Sequence, residues 1–137
     1  MTARLASFLL LLVAISSLLT ACNTDGADTP SGNNDAAVNA VMRYLEARVA
    51  TDRSAMQAVS CAAWEAQAGI QAESFRSMNA QLEDVVCTAS TEDGATLVTC
   101  EGQIVTSYNG ENRSWPLPVY SVTQEDGDWK VCGEAER

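Results

Sequence analysis

The chain has 137 residues, with 18 Asp plus Glu against 8 Lys plus Arg, no histidine and five cysteines, for a net charge of −10. No basic stripe is available to neutralise phosphates, which excludes a nucleic-acid partner. Without histidine or a Cys-x-x-Cys pair the sequence offers no structural zinc site, and neither metal nor cofactor is expected.

Arg4 and the amino terminus form a short positive region, and Leu5 to Leu19 is apolar apart from three serines, centred on Leu9 to Val13. That is the chemistry of a secretory signal, slightly short for a bilayer span. The run closes on Leu19-Thr20-Ala21-Cys22, which resembles the lipobox of bacterial lipoproteins. The resemblance implies that residues 1–21 are removed and that the Cys22 thiol receives a diacylglyceryl group. It also implies acylation of the new amino terminus and a lipid anchor in the cell membrane or outer membrane, with the chain facing the periplasm or exterior. Each buried acyl methylene contributes about 0.8 kcal/mol, so two or three chains anchor stably. An uncleaved transmembrane anchor ranks behind this reading, because small residues directly before a lone cysteine are what a signal peptidase needs. Residues 22–33 read as the lipidated cysteine and a small, polar, flexible tether. Asn23 stands where an aspartate resembles an inner-membrane retention signal, and so favours outer-membrane sorting in an envelope that has one.

The domain proper is expected over residues 34–137. Val38, Val41, Leu45 and Val49 recur at helical spacing, with Arg43, Glu46 and Arg48 mostly elsewhere. Asn34 or Asp35 can cap this helix, and Asp52 offers the next N-cap. A second helix is expected from Arg53 to about Gln67, interrupted at Gly69. A third piece spans about Ile70 to Met78, with Ile70, Phe75 and Met78 turned inward.

After Gln81 the period becomes two, punctuated by Asp93-Gly94, Asn109-Gly110 and Asp126-Gly127. The spacing predicts four strands, about 82–91, 96–108, 111–124 and 128–133, in an antiparallel meander with the helices on one face. A two-residue turn at Asp93-Gly94 sets Cys87 opposite Cys100 at a non-hydrogen-bonded site, where Cα atoms lie about 4.5 Å apart and a bridge is feasible. That leaves Cys61 with Cys132. Against it, a three-residue turn at Glu125-Asp126-Gly127 would turn Cys132 away from the helices, and the alternative pairs Cys61 with Cys87 and Cys100 with Cys132. An exported chain with four cysteines beyond Cys22 is expected to form two disulfides either way.

A long first helix (Ala36 to Asp52), shorter helices, a meander and the ending Glu125-Asp126-Gly127-Asp128-Trp129-Lys130-Val131 resemble the NTF2-like, cystatin-like cone fold over residues 34–133. The resemblance implies an α+β domain with a curved sheet, and a superfamily that contains isomerases and hydratases as well as non-catalytic binding and dimerising domains. Its enzymes place an Asp or Glu base inside the cone. Among Glu65, Glu73, Asp84 and Glu101 periodicity puts none there, and Tyr44, Tyr108 and Tyr120 have structural explanations. Trp64, Trp115 and Trp129 are expected in the core, with Trp115 opposite Ile104. The favoured reading is a membrane-anchored envelope lipoprotein whose domain binds an envelope protein or a small apolar ligand. Its rivals are a ketosteroid-isomerase or hydratase-like enzyme and a homodimerising domain.

Overall fold

The computed structural model describes residues 30–136; the leader, Cys22 and most of the expected tether lie outside them. Helix α1 spans Pro30–Val49. It starts four residues earlier than Asn34, and proline suits a first helical turn, where its missing N–H has no partner to lose. Val41, Tyr44 and Leu45 are fully buried beneath it. Asp52 caps α2 (Arg53–Ala58), its carboxylate accepting from Ala55 N at 2.9 Å. The chain then breaks at residues 59–64, not at Gly69, before α3 (Glu65–Gln71) and a single 3₁₀ turn (Ala72–Phe75).

That break has a non-local cause. Val131 N donates to Val59 O and Cys61 N donates to Val131 O, both at 2.9 Å, so residues 59–61 run beside the last strand as a parallel bridge. Gly69 instead lies buried inside α3, where a side chain would press on Arg53 and Gln57. Ile70, expected inward, is 64% exposed, whereas Phe75 is buried.

Five strands follow: β1 (Gln81–Glu92), β2 (Ala95–Tyr108), β3 (Glu111–Pro116), β4 (Val119–Glu125) and β5 (Asp128–Ala135). They form an open antiparallel sheet in the order β1-β2-β4-β5, with β3 beside the far half of β2. The expected third strand, 111–124, is therefore two. Leu117 drops into the core at 2% exposure and Pro118 has no N–H to donate, so the ladder is interrupted between them and the four-stranded meander becomes five-stranded.

All three turns have two residues with positive φ at both central positions, the geometry that matches strand twist. Cys87 faces Cys100 with Cα atoms 4.1 Å apart, and the two are bonded. Where β1 shifts register between Glu83 and Val86, Gly102 sits opposite at φ +97°, and a Cβ there would lie 2.6 Å from the Glu83 and Asp84 carbonyl oxygens. Only glycine allows the two backbones to approach so closely.

Cys61 and Cys132 are also bonded, with Cα atoms 5.2 Å apart. The obstacle to this pairing disappears for two reasons. The last hairpin has a two-residue turn, with Glu125 opposite Asp128, and the ladder slips at Ser121/Val122, leaving Cys132 without a partner on β4. Cys61 reaches it sideways along the sheet edge instead of down from a helix.

Candidate functional site

The inner face of the sheet is filled. Tyr44, Leu45 and Met56 from the helices meet Val98, Ile104 and Tyr120 from the strands and Leu117 from the break between β3 and β4, all at 2% exposure or less. Inside this packing runs one polar chain. Tyr44 OH donates to Gln71 Oε1 at 2.8 Å and accepts from Trp64 Nε1 at 3.0 Å. Its ring meets Tyr120 edge-on at 5.9 Å. The Tyr120 hydroxyl is wholly buried and lies against Arg48, yet neither it nor Arg48 Nε completes a hydrogen bond.

Arg48 was expected off the buried stripe. It falls four residues after Tyr44 and three after Leu45, hence on the inner face, where its Nη1 reaches Glu134 Oε1 at 3.3 Å. Its guanidinium also stands 5.4 Å above the Phe75 ring. Burial pushes both phenols above their ordinary range; the Trp64 hydrogen bond opposes this at Tyr44, and the Arg48 charge opposes it at Tyr120. Both tyrosines are therefore neutral phenols at physiological pH.

Beyond Arg48 and Glu134 opens a groove of about 470 Å³ with Phe75, Trp115, Leu117 and the prolines 116 and 118 on its walls. Trp115 pairs with Ile104 as expected but is 43% exposed, not core. The Phe75 ring touches it edge-on at 6.2 Å, and its Nε1 donates to Thr106 Oγ1 at 3.2 Å, so its position is fixed from two sides. On its other flank lies a second groove of about 260 Å³, bounded by Met78, Tyr108, Glu111 and Arg113.

Every residue of β3 is exposed, and among the described residues the strand pairs only with β2. With Tyr108 opposite Glu111 beside the two-residue turn, the alternation of the ladder puts the N–H and C=O groups of Asn112 and Ser114 on the free edge.

The candidate carboxylates do not converge. Glu65, Asp84 and Glu101 are exposed, and Glu73 pairs with Arg76. Tyr108 is exposed at the end of β2, apart from the buried Tyr44 and Tyr120. Trp64 and Trp129 are half-buried beside the core. Among the described residues no helix is long and apolar enough to cross a membrane. Comparison with protein-family models, curated proteins and solved structures finds no match to this chain.

Proposed function

We propose that the chain is an envelope lipoprotein held at the membrane through Cys22, and that its domain works by binding a partner protein without catalysing a reaction. The observation that carries this reading is a coincidence of place: a strand edge with unpaired backbone groups lies beside an exposed, rigidly held tryptophan between two grooves. An extended segment of a partner can extend the sheet along β3, hydrogen-bonding to Asn112 and Ser114, and seat apolar side chains on either side of Trp115. Backbone bonding supplies affinity in that mode and the grooves supply choice. The lipid holds the domain where such partners are.

A photo-crosslinking residue at position 113 in intact cells should capture one dominant protein, and the same residue at Val86, which is 63% exposed on β1, should not. Equal labelling from both faces would refute the docking site, and a native chain lacking acyl mass on Cys22 would refute the anchor. A second reading rests on the groove beside Arg48, whose volume of about 470 Å³ lies in the range of small-molecule sites. It predicts that added lipidic compounds raise the melting temperature and that Trp115→Ala abolishes the rise.

A further inference from the structure

The two disulfides differ in what surrounds them. Among the described residues, one group of potential metal donors comes together: the Cys61 and Cys132 sulfurs and a carboxylate oxygen of Glu125, all within 4.8 Å of one another. Cys87 and Cys100 have no such third donor among the described residues, and Cys87 Sγ lies 3.7 Å from the Met42 thioether. Glu125 is fixed where it stands, because its Oε2 accepts from Ala62 N at 3.0 Å, one residue after Cys61. The cysteines are likewise held by more than their own bond, through the Val59, Val131 and Cys61 backbone ladder. Opening the bond would leave both sulfurs beside the carboxylate.

We infer that the Cys61–Cys132 bridge, when reduced, becomes a binding site for a thiophilic divalent cation of the zinc and cadmium class, with Glu125 as third ligand. A dithiol reductant transfers two electrons and two protons to the bridge, becoming a disulfide and leaving two thiols. The cation then displaces both thiol protons and binds two thiolates and one carboxylate. Three protein ligands with a fourth position open to water is a common zinc arrangement, and thiolates select soft cations over magnesium or calcium. Cys132 is half-buried and within a reductant's reach, while Cys61 is 1% exposed and supplies a dry wall. A disulfide oxidant that accepts two electrons and two protons, becoming a dithiol, restores the bridge, which removes both thiolates and releases the cation.

The test uses the full chain with Cys22→Ser, reduced with a phosphine and titrated with cadmium while the ultraviolet cadmium–thiolate band is followed. One cadmium per chain is expected, with no band from the oxidised chain. Cys87→Ala/Cys100→Ala should keep the band, Cys132→Ser should lose it, and Glu125→Gln should weaken affinity at least about tenfold, since even supporting residues of metal sites matter on that scale. Circular dichroism is recorded alongside. If the reduced chain has lost structure, cadmium should restore it, because binding free energy then drives folding. A band unaffected by Cys132→Ser, equal affinity in Glu125→Gln, or cadmium that neither binds nor restores structure would overturn the assignment.

Discussion

Identical bonds at the two bridges should contribute unequally to stability, because they close loops of very different length. Cys61–Cys132 spans 71 residues and Cys87–Cys100 spans 13. In the chain-entropy treatment, constraint of the unfolded ensemble contributes about 4.4 kcal/mol for the long loop and about 2.9 kcal/mol for the short one at 25 °C, a difference of about 1.5 kcal/mol. The comparison is fair at the level of packing. Each bridge joins one sulfur at 1% exposure to one half-buried sulfur, so the cavity left by Cys→Ala is similar in the two cases. The folded-state geometry is also secured independently in both, by the parallel bridge at Val131 and by the β1–β2 ladder. Urea unfolding of Cys61→Ala/Cys132→Ala and Cys87→Ala/Cys100→Ala, extrapolated to water, reads the two losses directly. Equal losses, or a larger one for Cys87–Cys100, would refute the argument from loop length and show that native contacts at each bridge dominate instead.

Two buried tyrosines should respond unequally to loss of the hydroxyl. Tyr44→Phe strands the Trp64 indole and the Gln71 amide and should cost about 1–3 kcal/mol, whereas Tyr120→Phe removes a hydroxyl with no hydrogen bond and should be close to neutral; thermal unfolding separates them. Both phenols ionise less readily folded than unfolded. Below about pH 10, the ordinary phenol value, neither state releases these protons and stability is independent of them. Above it the unfolded chain releases protons that the folded chain keeps, so stability falls by up to about 1.4 kcal/mol per pH unit for each phenol. Alkaline titration by circular dichroism should show the fall, and Tyr120→Phe should reduce its slope. Gly102→Ala must place a Cβ against two carbonyl oxygens at positive φ and should cost more than about 2 kcal/mol in urea. Trp115→Ala should abolish crosslinking through position 113 while the chain keeps its folded circular dichroism, at some loss of melting temperature because the Phe75 and Thr106 contacts go with it.

What could be read from the sequence was local. Three dipeptides of Asp or Asn followed by Gly locate the three turns, and each fixes a register by counting, which is how Cys87 meets Cys100 before any coordinate is known. Helix α1 announces itself by its apolar spacing, and Asp52 by its position before a new helical run. What failed was non-local. Nothing near Val59 or Cys61 shows that this segment will bond to Val131, some seventy residues later, and that contact breaks the second helix at a place where Gly69 looked the better breaker. The division of the third strand depends on Leu117 finding a buried position, which pattern alone does not reveal. Arg48 could have been found: an arginine in phase with Tyr44 and Leu45 is aimed inward, and an inward arginine needs a partner, here Glu134. Trp115 misled because a large aromatic on an alternating strand reads as interior, while every residue of β3 is exposed.

The Cys61–Cys132 bridge also determines how the domain would yield to a mechanical pull. It closes a covalent ring around α3, the first four strands and the first half of β5, and leaves α1 and α2 outside. Tension entering at residue 30 would peel those two helices away, paying out about 100 Å of chain before it reached Cys61. There the force would pass straight across to Cys132 and out through the carboxyl end, bypassing β3 and its two grooves.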